Sequence, residues 1–68
     1  MEISQDAHAY NARRKDINNL LTELKEALKL KDDVFRDNED WEHVVDLENV
    51  REYLTSAVKY AKASLDKW

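Results

Sequence analysis

The chain offers few groups that could carry out chemistry: two histidines, two arginines that interrupt an apolar row, and a run of carboxylates. Cysteine is absent from the 68 residues, which excludes thiol catalysis, disulfides and thiolate metal sites. Glycine is also absent, so a glycine-rich phosphate loop and a backbone oxyanion pocket are both hard to build. No serine has a base close to it in the sequence. We therefore predict no catalytic residues and a protein that is not an enzyme.

A metal site would have to combine His43 with Glu39 or Asp40, which a helix places on the same face. Dimetal sites in four-helix bundles use the motif Glu-x-x-His, and the sequence does not contain it. In a helical hairpin, His8 would lie about 30 Å from His43, as judged from the rise of a helix. We therefore expect neither a metal nor a cofactor.

Carboxylates are concentrated between residues 32 and 52, where nine acids and two arginines give a net charge of −7 in a chain of net charge −4. One interpretation is a docking surface for a basic protein. The alternative is that these acids complement a helix dipole and keep a turn solvated. We refer to four of these residues as the acidic end: Asp37, Glu39, Asp40 and Glu42.

Apolar residues recur at alternating steps of four and three in two segments, which predicts an all-α protein. The first helix is predicted over about residues 4–31, with Ser4 or Asp6 as its N-cap. Asp and Asn side chains compete with helical hydrogen bonds, so residues 32–38 are predicted to be the connection. The second helix is predicted over about residues 39–66, with Asn38 as its N-cap and a break near Asp46 left open. We refer to these apolar rows as the seams: Ile3, Ala7, Tyr10, Ile17, Leu21, Leu24 and Leu28 in the first helix, and Val44, Leu47, Leu54, Val58, Ala61, Leu65 and Trp68 in the second.

Folding the chain back at the connection pairs the two seams along their whole length, from Leu28 with Val44 to Ile3 with Trp68. A short connection makes such helices antiparallel neighbours, so we predict a helical hairpin in a single domain, residues 1–68. Arg14 and Arg51 interrupt the seams. They either bind an anion such as an RNA phosphate or form a polar layer that sets the pairing of the helices, and we prefer the polar layer.

One side of the predicted hairpin carries apolar residues that the seams do not use. Leaving them in water would forgo about 1.5–3 kcal/mol for each fully buried aliphatic side chain. A second copy would cover this side most simply, which predicts a homodimeric four-helix bundle; a different partner chain and a monomer with a third short helix are the alternatives. We refer to this side as the apolar flank: Leu20, Ala27, Leu30, Val50, Tyr53, Ala57 and Tyr60.

These features predict a small non-enzymatic interaction protein: an adaptor, an inhibitor or a regulator that acts through protein contacts. The alternative is a nucleic-acid-binding regulator with the same dimeric architecture. Nucleic acid is the less favoured partner, because the chain is acidic and the basic run over residues 13–15 points around a helix rather than along one face. No apolar run approaches the roughly 20 residues of a membrane span, so we expect no membrane contact and a cytoplasmic protein.

Overall fold

Two long α-helices make up the protein in the computed structural model, which describes residues 4–67. Helix α1 spans Gln5–Asp37 and helix α2 spans Trp41–Leu65, and the described residues contain no strand. The prediction of an all-α chain with two helices is confirmed. The chain divides into two units, residues 1–34 and 35–68. The single-domain organisation and the pairing of the seams stay predictions, and the predicted pair Ile3 and Trp68 lies outside the described residues.

Helix α1 begins where the sequence predicts it to begin. The Ser4 hydroxyl accepts a hydrogen bond from the Ala7 backbone N–H at 3.1 Å, and the Ser4 carbonyl accepts one from the His8 N–H at 3.0 Å. These bonds satisfy backbone donors that a helix start otherwise leaves without partners. Ser4 is therefore the N-cap, and Asp6 lies inside the first turn.

The predicted end of the first helix, near residue 31, is wrong because α1 continues to Asp37. The Asp-rich stretch costs only a few tenths of a kcal/mol per residue in helix propensity, and no glycine or proline stops the helix. The apolar row also continues, since Phe35 follows Leu28 by seven residues, which is two helical turns. Arg36 lies in the last turn, where a positive charge complements the helix dipole.

The N-cap of α2 is Asp40 rather than the predicted Asn38. Its backbone is extended, and its carboxylate Oδ1 accepts a hydrogen bond from the Glu42 N–H at 3.0 Å. The Asp40 carbonyl accepts a second bond from the His43 N–H at 3.1 Å. The connection between the helices is therefore limited to residues 38–40, shorter than the predicted 32–38.

We expect Asp40→Ala to lower the free energy of unfolding by about 1 kcal/mol, because α2 loses the side-chain acceptor at its N-terminus. Urea denaturation followed by circular dichroism measures this change. Glu39→Ala is the matched control, since it removes a neighbouring carboxylate for which the described residues show no capping bond, and we expect it to stay within about 0.5 kcal/mol of the parent. Equal losses in the two variants would contradict the capping role of Asp40.

Helix α2 is continuous, so the break considered near Asp46 is absent. Its middle contains a threonine whose hydroxyl donates to the carbonyl one turn earlier, from Thr55 to Arg51 at 2.8 Å. The helix ends at Leu65, where the Asp66 N–H bonds to the Ala63 carbonyl at 3.2 Å. Val50, Tyr53, Ala57 and Tyr60 therefore all lie on one uninterrupted helix.

No described residue is fully buried, so the chain has no enclosed core within residues 4–67. Large apolar side chains of both seams, such as Ile17 and Val58, are exposed. Because the seam residues recur at steps of three and four, they form an apolar stripe along one side of each helix. Removing this stripe from water requires another helix packed against it. Eight described residues are half-buried: Ala7, Leu24, Leu28, Lys31, His43, Val44, Val50 and Ser64.

Candidate functional site

The α1 part of the apolar flank consists of Leu20, Ala27 and Leu30. Because a helix turns about 100° per residue, Leu20 and Ala27 lie within about 20° of each other, and Leu30 lies about 80° from Leu20. All three are exposed, and Leu20 exposes 61% of its surface. Helix α1 thus places these predicted residues together on one face.

The α2 part of the apolar flank contains the two most exposed large aromatic residues described. Tyr53 is 78% exposed and Tyr60 is 76% exposed, while Ala57 is exposed and Val50 is half-buried. These four residues span about 80° of the helix surface. Exposed tyrosines that share a helix face with small apolar residues are typical of protein interfaces, because tyrosine adds both apolar area and a hydroxyl group.

The acidic end lies where one helix stops and the next begins. Asp37 is the last residue of α1, Glu39 and Asp40 belong to the connection, and Glu42 is in the first turn of α2. All four are exposed. Their positions differ in role, since the Asp40 carboxylate caps α2 and Glu42 complements the helix dipole. Asp37 lies at the C-terminal end of α1, where a negative charge is unfavourable for the dipole.

Trp41 lies in the middle of the acidic end and is 74% exposed. In the sequence, this tryptophan is more simply interpreted as a side chain that closes the end of a bundle. As the first residue of α2, it stands between the N-cap Asp40 and the first-turn acid Glu42. An exposed indole beside carboxylates can contact an arginine or lysine through its ring face while the carboxylates attract the same cation. The signal in the sequence was the placement of Trp41 among acids.

Phe35 and His43 contact each other across the connection. Their ring centroids are 6.0 Å apart and the rings are nearly perpendicular, at 88°. Edge-to-face contacts of this kind stabilise a local packing arrangement. The Nδ1 atom of His43 is buried and has no hydrogen-bond partner among the described residues. His43 thus helps to hold the connection that carries the acidic end.

Of the two arginines that interrupt the seams, Arg51 forms an ion pair on its own helix. Its guanidinium donates to the Glu48 carboxylate at 2.6 Å, the partner expected from the spacing of three residues. Both side chains are well exposed, so the pair contributes little to stability. Arg14 is exposed on α1. The role of either arginine as an anion ligand or a polar layer stays a prediction.

The polar face of α2 forms an open groove lined by Glu48, Arg51, Glu52, Thr55 and Ser56. Its charged groups include the Glu48–Arg51 ion pair, and all five lining residues are polar or charged. Within residues 4–67, no group of three or more acidic or histidine side chains is arranged to hold a metal ion. Over the same residues, neither helix combines the length and apolar character needed to cross a lipid bilayer.

Comparisons of the chain with protein families, with curated proteins and with solved structures found no match. Function is therefore inferred from the two surfaces described above, the apolar flank and the acidic end with Trp41.

Proposed function

We propose that this protein is a small non-enzymatic interaction protein, an adaptor, inhibitor or regulator, that docks a basic protein surface on its acidic end. The observation that carries the proposal is Trp41, which is 74% exposed among the acids Glu39, Asp40 and Glu42. Tryptophan is the residue most enriched among the energetic anchors of protein interfaces, and acids around it raise the rate of encounter with a basic partner. The dipole interpretation accounts for the acids at the start of α2 but leaves both the exposed indole and Asp37 unexplained.

We also propose that the two helices fold back on each other as an antiparallel hairpin and that two such hairpins form a homodimer. Both helices are amphipathic and their apolar side chains are exposed in the single chain, so folding back along the seams would cover one stripe of each helix. The apolar flank would still be uncovered, because it lies beside the seams. A second copy brings the same flank, and two hairpins packed through it make a closed four-helix bundle. The cytoplasmic location expected from the sequence is part of the same proposal.

Docking at the acidic end is tested with a fluorescein-labelled peptide of alternating arginine and glycine. Fluorescence anisotropy at low ionic strength measures the affinity of this peptide for the protein. We expect the parent chain to bind and Trp41→Ala to bind about 10-fold more weakly, because a central aromatic anchor is lost. Trp41→Phe is the matched control, since it keeps an aromatic face for the cation, and it should retain most of the affinity.

Equal affinity of the parent and Trp41→Ala would contradict the docking role of the acidic end. The nucleic-acid alternative is tested with RNA and DNA oligonucleotides in the same assay. Tight binding that falls steeply as salt rises would favour that alternative, because counterion release produces such a slope. We expect no such binding from a chain of net charge −4.

A further inference from the structure

We propose that α2 packs antiparallel against α2 of a second copy, with Val50 opposite Tyr60 and Tyr53 opposite Ala57. This inference rests on the homodimer proposed above. It adds that the two α2 helices contact each other and that they run in opposite directions. The occupant of the α2 part of the apolar flank is thus the same helix of an identical chain. The contact is isologous and closes on itself.

The apolar residues of α2 on this flank belong to a longer helical row. The residues of this row recur at alternating steps of four and three over most of α2. This spacing is typical of helices that pack against a neighbouring helix, so α2 can make a second helix contact beside its seam. Because α2 is continuous over Trp41–Leu65, the row stays on one face. We refer to it as the outer row: His43, Asp46, Val50, Tyr53, Ala57, Tyr60 and Ser64.

Antiparallel pairing of the outer row alternates large and small residues. With Val50 opposite Tyr60, the next layer places Tyr53 opposite Ala57, and the two-fold axis repeats both layers. Each exposed tyrosine then lies against a small or branched side chain, which fills space without overpacking. Parallel pairing in register would instead stack Tyr53 on Tyr53 and Ala57 on Ala57, giving layers that are alternately crowded and loose.

The charge along α2 favours the same direction. Residues 41–52 contain four acids and one arginine, a net charge of −3, whereas residues 53–65 contain two lysines and no acid, a net charge of +2. Antiparallel copies place each acidic half beside a basic half. Parallel copies would place like halves together, which is unfavourable.

The arrangement places the two acidic ends far apart in the dimer. The two-fold axis passes near residue 55, so the cap residue Asp40 lies about 22 Å from the axis along the helix, and the two copies of Asp40 lie about 45 Å apart. The dimer would therefore present two separate docking surfaces for basic partners. A partner with two basic sites at a matching distance would gain affinity through bivalent binding.

Cysteine crosslinking of the full chain tests the direction of the pairing, because the chain has no cysteine of its own. Antiparallel packing brings Ser56 of the two copies together at the two-fold axis, whereas it separates the two copies of Ser64 by about 27 Å. Parallel packing in register brings the two copies of Ser64 together. We therefore treat Ser56→Cys and Ser64→Cys with a short bismaleimide and follow the formation of crosslinked dimers over time by denaturing gel electrophoresis. Sedimentation equilibrium of the untreated variants gives their oligomeric state.

We expect Ser56→Cys to form crosslinked dimers at least about 10-fold faster than Ser64→Cys, because proximity raises the effective concentration of the thiols. Faster crosslinking of Ser64→Cys would overturn the antiparallel direction. If both variants sediment as dimers and neither crosslinks, the α2 pair is wrong and the homodimer stands. If both sediment as monomers without crosslinking, the α2 pair and the homodimer are both wrong.

Discussion

Leu20→Asp combined with Val50→Asp is expected to convert the protein from a dimer to a monomer and to lower its thermal stability. Each substitution removes an apolar side chain that contributes about 1.5–3 kcal/mol when buried, so the dimer affinity should fall by at least about 100-fold. The new carboxylates add to this loss, because a charge without a partner is costly to bury in an interface. Sedimentation equilibrium and thermal unfolding over a range of protein concentrations measure both effects.

The matched control for this double variant is Asn18→Asp with Thr55→Asp. It adds two charges as well, one on each helix, but on the polar side away from the apolar flank. We expect this control to remain dimeric with a nearly unchanged sedimentation coefficient. A dimer that persists in the Leu20 and Val50 variant, or dissociation of both variants alike, would show that the apolar flank is not the interface.

Reversing charges at the acidic end, with Asp37→Lys and Glu39→Lys, is expected to abolish most of the binding to the arginine-glycine peptide. Two attractive charges become repulsive, so we expect the affinity to fall by about 10- to 100-fold at low ionic strength. The difference should shrink as salt is added, because exposed charges are screened. Fluorescence anisotropy at two salt concentrations measures both the loss and its salt dependence.

The helices should tolerate this reversal. Asp37 is the last residue of α1, where a lysine suits the helix dipole better than an aspartate, and Glu39 precedes the N-cap of α2. Asp40 is left unchanged because its carboxylate caps α2 at 3.0 Å from the Glu42 nitrogen. A reversal that included Asp40 would mix the loss of docking with the loss of the cap.

Glu23→Lys with Glu26→Lys makes the same change in net charge on exposed positions of α1, far along the chain from the acidic end. We expect this control to lower peptide binding much less than the reversal at Asp37 and Glu39. If both double variants weaken binding equally, net charge alone attracts the peptide. The acidic end would then not be a docking site.

The predicted end of α1 near residue 31 is wrong because two kinds of local signal disagree there. Asp32 and Asp33 favour a helix stop, but their effect on helix propensity is small. The row of apolar residues through Leu28 and Phe35 was the stronger signal, and Phe35 contacts His43 just beyond the connection. In a chain without glycine or proline, continued periodicity outweighs local preferences for a turn.

The sequence by itself determined that this protein is helical and which residues share a face. Helical periodicity and the Ser4 cap are local properties, since they depend on residues within one or two turns of each other. Only the tertiary structure decided that Asp40 rather than Asn38 caps α2 and that Trp41 is exposed among the acids. These two features depend on the backbone angles of the three connecting residues and on the packing around them, which composition and spacing do not specify.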